Sequence, residues 1–240
     1  MRELAILIPS YKRPEVLEAT LKGLLDTIQE ATTGVSIYLG LNSPDERVLK
    51  VAEDYKELFS SKGISYYYIS SQRNIGKAEM LNMLFEGYCL GKELIITMDN
   101  DMVLKKPWLA MIEVAQDLDF EMMGFASSTF WVHLPSKDKC KAEPVGDYNL
   151  YNVPDIGGGM LLFKRDILEK HKWTNLGGVY GRDDEQMCRK LSKKVVFEWP
   201  VDWLDHDPLS ISTPVLEMYT RKKKDLYKRG ITVFSEGWDE

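Results

Sequence analysis

Four short apolar runs, each separated from the next by one amphipathic stretch, constrain the first half of this chain more than any other feature. Leu4–Ile8, Val35–Leu41, Ile64–Ile69 and Leu94–Met98 are of strand length and too short for buried helices. Between them, Leu17, Leu21, Leu24, Leu25 and Ile28 recur at helical spacing behind Pro14, a residue suited to a first helical turn. Val48, Val51, Ala52, Tyr55, Leu58 and Phe59 mark a second helix; Met80, Leu81, Leu84, Phe85 and Tyr88 mark a third. A β-α-β-α-β-α-β order predicts an α/β fold with a mostly parallel central sheet flanked by helices, because parallel neighbours require a crossover. Ligands of such sheets gather beyond the carboxyl ends of the strands. Those ends read Pro9-Ser10-Tyr11, Asn42-Ser43-Pro44, Ser71-Gln72-Arg73-Asn74 and Asp99-Asn100-Asp101.

The second half breaks this alternation. The pattern predicts a short helix after Pro107, a strand from Met122 toward Val132, and a long loop or hairpin over His133–Asn152. A strand then opens at Gly157-Gly158-Gly159, helices lie near Asp166 and Asp183, a strand spans Lys194–Leu204, and a helix starts near Thr213-Pro214. Neither an internal repeat nor a low-complexity linker interrupts the 240 residues, so a single domain with an irregular second half is expected. The net charge of -6 argues against a wholly electrostatic nucleic-acid binder. Cys89, Cys140 and Cys188 are scattered, which suits buried thiols in a reducing compartment. Without a signal-type leader or an apolar run of roughly 18 residues, the cytoplasm is the expected location.

Several segments carry chemistry, each beside a plainer reading. Asp99 and Asp101 are two apart at a strand exit, so both can address one divalent cation, although acidic residues also serve as turn formers there. The turn at Pro9, Tyr11 and Arg13 would approach a nucleoside, or merely connect a strand to a helix. Arg73, Asn74 and Lys77 gather cations at a helix start suited to phosphate, where Asn74 and Gly76 also serve as caps. Gly157-Gly158-Gly159 implies a close backbone approach by ligand, or a bulge. Asp183-Asp184-Glu185 offers a general base or simple helix capping. His206, between Asp205 and Asp207, offers an imidazole ligand oriented by carboxylates, or a surface turn residue. Trp131 and Trp173 are available to stack on a sugar or base, or to fill the core. The Arg221–Arg229 run is a solvated face, a peripheral membrane contact or a polyanion contact.

These pieces, in this order from Leu4 to roughly Pro208, resemble the GT-A-fold glycosyltransferases, especially the inverting family 2. The resemblance implies a single Rossmann-like domain over 1–240, with 1–101 binding nucleotide, 102–212 carrying the acceptor and catalytic groups, and 213–240 forming a terminal helix and tail. It implies transfer from a nucleotide sugar, usually a UDP-sugar, to an acceptor hydroxyl with Mn2+ or Mg2+. Pro9-Ser10-Tyr11-Lys12-Arg13 is similar to the family's opening nucleotide-binding turn, and Arg73-Asn74 with Gly76 to its asparagine-glycine segment. Asp99-Asn100-Asp101 is similar to its DxD motif. By that likeness Asp101 and His206 hold the metal, and Asp99 meets the ion, ribose or donor sugar. Gly158 and Gly159 correspond to the glycine loop near donor and acceptor. Arg182-Asp183-Asp184 resembles the xED motif with Asp184 as the base. Asp183 stands where the family has glutamate, which leaves Asp183 or Glu185 as the alternative base. Asn42 stands where relatives often carry an acidic nucleoside contact. The acceptor would be a glycan, lipid, small molecule or modified DNA base. A sugar nucleotidylyltransferase lacks support, since its glycine-rich loop is missing between Ile8 and Leu17. A non-catalytic nucleotide-sugar or glycan-binding module would need neither the DxD-like pair nor the acidic base.

Overall fold

The computed structural model describes residues 3–28, 34–105, 108–126, 141–146, 148–154, 156, 159–174, 183–198 and 204–206. Strand β1 (Leu4–Tyr11) is covered on both faces. Leu4, Ile6 and Ile8 join one core with Leu17, Leu21 and Leu24 of α1 (Pro14–Thr27) and Val48, Ala52, Tyr55 and Phe59 of α2 (Glu46–Ser61). Ala5 and Leu7 join the opposite core with Ala78, Met80, Leu81 and Leu84 of α3 (Lys77–Tyr88). This two-sided burial is why the strand reads as a continuous apolar run. Strands β2 (Val35–Asn42), β3 (Ser65–Ser71) and β4 (Leu94–Met98) complete the predicted alternation, and β1–β4 are mutually parallel. The sheet tolerates Pro9 in its centre because the β1–β4 ladder ends at Leu7 opposite Thr97.

Beyond β4 come β5 (Met102–Leu104), α4 (Leu109–Ala115), β6 (Met122–Ala126), the antiparallel hairpin β7 (Ala142–Val145) and β8 (Tyr148–Asn152), and β9 (Met160–Lys164). Helices α5 (Arg165–Lys170) and α6 (Asp183–Lys190) follow, then β10 (Lys194–Glu198) and β11 (Leu204–His206). The nine-stranded sheet has the order β3-β2-β1-β4-β9-β6-β10-β8-β7. It is mixed: β9 runs antiparallel to both β4 and β6, because it starts where β4 ends. The single strand expected over Lys194–Leu204 is instead two. β10 is described over Lys194–Glu198 in the large sheet, whereas Leu204 begins β11, which pairs with β5 in a separate two-stranded sheet. No helix among the described residues is long and apolar enough to cross a membrane.

Candidate active site

The order β2-β1-β4 makes the gap between β1 and β4 a switch point, where the chain first winds to one side of β1 and then returns to the other. Side chains tie the two strand ends together there. The Asn100 amide donates to the Ser10 hydroxyl at 3.0 Å, and the Thr20 hydroxyl of α1 donates to the Asn100 carbonyl at 2.7 Å. Lys12 and Arg13 both adopt left-handed backbone, with φ of 51° and 58°, before Pro14 starts α1. For non-glycine residues that costs energy, and such strain concentrates at functional edges. The resulting turn brings the Arg13 guanidinium 3.2 Å from the Asp101 carboxylate. Tyr11 stands at the same rim with the Lys12 ammonium over its ring, whereas Pro9 is buried within β1.

The β2 exit is built differently. Asn42 is buried, and its side-chain oxygen accepts from the Ile75 N–H at 3.0 Å. Asn74 accepts from the Gly76 N–H at 3.0 Å, and Gly76, at φ 85°, leads into α3. Asn42 therefore holds the 72–76 connection in place, while Arg73 is left exposed on it.

Lys77 opens α3, but its ammonium turns inward. It lies 2.7 Å from Asp99 and 3.2 Å from Asp183, with its side chain only 16% exposed. Burial opposes its charge, yet Asp99, Asp183 and Asp184 together hold the ammonium well above the ordinary lysine range. Burial pushes the Asp99 carboxyl up to about 6; Lys77 opposes that rise, and Asp101 and Asp183 add to it. Asp183 is buried against Lys77, whereas Asp184 is half-buried and accepts from the Glu185 N–H at 2.8 Å. Glu185 forms an ion pair with Arg189 along α6. The Cys188 sulfur, one turn further on, accepts from the Ile156 N–H at 3.3 Å and anchors α6 to the segment ahead of β9.

The Asp99 N–H donates to the Gly159 carbonyl at 2.8 Å, so the end of the glycine run borders the acidic strand exit. β11 pairs with β5 so that His206 lies opposite Met102, the residue after Asp101. Trp173, expected to be offered for stacking, is buried instead, edge-on to Phe85 and Phe163, and its backbone exchanges two hydrogen bonds with Asn82. Its size and apolarity are used by the core, so it is not an acceptor platform. Trp131, Gly157, Gly158, Arg182 and the Arg221–Arg229 run lie outside the described residues. Thr20, whose hydroxyl supports Asn100, escaped the sequence reading; its one signal was a polar residue on the apolar face of α1.

The donor set fits a hard divalent cation. Asp99 and Asp101 supply carboxylate oxygens from one strand exit, and each raises the cost of charge on its neighbour, which added positive charge would relieve. Among the described residues no group of three or more His, Cys, Asp or Glu forms a cage by itself, so such an ion would complete its shell from outside this pair.

The family described as Glycosyl transferase family 2 matches residues 5–172. No curated protein sequence matches the chain. Among solved structures, the mannosyltransferase PcManGT of Pyrobaculum calidifontis, in complex with GDP-Man and Mn2+, is similar with a TM-score of 0.62 at 13% identity, over 83% of this chain and 57% of that one. TarS of S. aureus in complex with UDP gives 0.61 at 10% identity, over 83% of this chain and 60% of that one. GalNAc-T7 with UDP, GalNAc and Mn2+ gives 0.58 at 10% identity, over 84% of this chain and 44% of that one. At these identities the likeness is one of fold, and the chain spans less than two thirds of the length of each.

Proposed function

The chain belongs to glycosyl transferase family 2 and is a glycosyltransferase of GT-A fold, and we propose that its reaction is metal-dependent, inverting transfer of a sugar from a UDP-sugar to an acceptor hydroxyl. One observation carries this reading: Lys77 joins Asp99 to Asp183, so the acidic strand exit and the acidic first turn of α6 meet at one ammonium beside the switch point. The bound GDP-Man, UDP and Mn2+ of the similar structures support the donor class and the ion.

In this reading Asp101, with Asp99 and His206, would hold Mn2+ or Mg2+, which when bound would offset the charge developing on the departing nucleoside diphosphate. Arg13, beside Asp101, adds a fixed positive charge at the same rim. Tyr11, Asn100 and Arg73 frame the nucleotide, and Asn42 and Asn74 shape the loop that presents it. Gly159, and Gly158 before it, border the donor sugar and acceptor. Asp184 accepts the proton of the acceptor hydroxyl as that oxygen bonds to the anomeric carbon. The bond from that carbon to the phosphate oxygen breaks on the opposite side, and a single displacement inverts the centre.

Incubation with UDP-glucose, UDP-galactose, UDP-N-acetylglucosamine or GDP-mannose, each with Mn2+ or with EDTA, tests this reading. UDP should be released from a UDP-sugar with Mn2+ and not with EDTA. Release from none of them, or release indifferent to EDTA, would reject it. Product anomeric configuration by NMR decides inversion.

A further inference from the structure

We propose that Lys77 is a positioning residue, a buried strut that sets Asp184 relative to the Asp99 edge by gripping Asp183, rather than a ligand of the donor phosphates. This inference rests on the reading of Asp184 as proton acceptor. Lys77, Asp99 and Asp183 come from three separate elements, the start of α3, the exit of β4 and the start of α6, and the one ammonium pairs with both carboxylates. The strut has a firm base. Gly76 leads into α3 with a left-handed φ, and the preceding residues are tied by Asn74 and, through Ile75, to Asn42 at the end of β2. Its far end is equally fixed: Asp183 is 5% exposed, and Cys188 anchors the next turn of α6 to Ile156.

The buried ammonium is ion-paired with both carboxylates, at 2.7 Å from Asp99 and 3.2 Å from Asp183. Moving it onto a phosphate would leave Asp183 buried without its cation, a costly arrangement. Asp184 follows Asp183 directly in the first turn of α6, so the Lys77–Asp183 contact fixes where the base stands. An error of about 1 Å in such a placement costs on the order of 10²-fold in rate.

The test compares Lys77→Met, Asp183→Asn and the double variant for turnover, donor KM and binding of UDP with Mn2+. Each single variant should lower kcat by about 10²-fold, with donor KM and UDP affinity within threefold of the parent. The double variant should be no worse than the poorer single, because both changes break one unit. A tenfold rise in donor KM with kcat unchanged, or losses that multiply in the double variant, would overturn the strut. If Lys77→Met alone fails to fold, Lys77→Arg and the double variant, which removes both charges, carry the same comparison. If no nucleotide sugar is turned over, the functional reading fails separately. The strut is then judged by thermal unfolding, where the double variant should recover stability lost by the singles, and additive losses overturn it.

Discussion

The Arg13 guanidinium lies 3.2 Å from the Asp101 carboxylate, so a side-chain cation already stands at the oxygen expected to meet a divalent ion. The two would compete for that oxygen. Arg13 is 43% exposed, which limits the pair to the range of surface ion pairs, about 0.2–1 kcal/mol. Arg13→Ala should therefore tighten Mn2+ binding to the nucleotide-free protein by about two- to fivefold while weakening UDP binding. Isothermal titration with each ligand measures both. Weaker Mn2+ binding in the variant would show that Arg13 supports the ion's site rather than competing for it.

Gly23 sets how closely α1 approaches the strand that follows Asp101. A Cβ there would sit 2.8 Å from the Leu104 carbonyl oxygen and 3.0 Å from its nitrogen, both backbone atoms that cannot turn aside. The helix-propensity gain of alanine, about 1 kcal/mol, opposes an overpacking cost of about 1–3 kcal/mol. The clash with backbone should win. Gly23→Ala is expected to lower stability by about 1 kcal/mol in urea unfolding. It should also reduce transfer, because β5 begins at Met102, immediately after Asp101.

The parts of the fold legible in the sequence are those whose residues need only their neighbours to explain them. Leu4–Ile8 and Leu94–Met98 read as strands because both faces are buried, and Pro14 announced α1. Pairing direction is not written in local periodicity, so the reversal of β9 between β4 and β6 was invisible. β5 is only Met102–Leu104, and its place depends on the missing side chain of Gly23 far earlier in the chain. The candidate site divides the same way. Asp99 and Asp101 were legible from spacing, but Lys77 finds its partners across long sequence separations, so its inward turn was not. Trp173 misled for that reason too, since Phe85 and Phe163 claim its ring only in three dimensions.

Cys89 gives the fold a dependence on alkaline pH. Burial pushes its thiol up to about 12, while the unfolded chain releases that proton near 9. Burial likewise pushes Tyr55 up to about 12 from an ordinary value of 10. For both groups the native state favours the neutral form. Their contribution is complete below the unfolded values and is lost as pH rises toward 12, with a slope of at most about 1.4 kcal/mol per pH unit for each group. Urea unfolding at pH 8 and pH 10.5 should show the loss, and the difference between the two pH values should shrink in Cys89→Ala. An equal difference in the variant would assign the alkaline sensitivity to other groups.

Asp184 and Asp183 are neighbours in one helical turn with different surroundings, and this separates their roles. Asp183 is buried against Lys77, while Asp184 remains half-buried with one oxygen accepting from the Glu185 N–H. Asparagine at 184 would keep that acceptor oxygen, so the start of α6 should survive the change. What it lacks is an oxygen basic enough to take a proton. Asp184→Asn should thus leave UDP and Mn2+ affinity and thermal stability near those of the parent, while turnover falls by about 10²- to 10⁴-fold. Glu185, paired with Arg189, should tolerate Glu185→Gln with turnover within about threefold, as expected for an exposed ion pair. Steady-state kinetics on the two variants decides the assignment. If Glu185→Gln is the inactive protein and Asp184→Asn the active one, the base lies one residue further along α6.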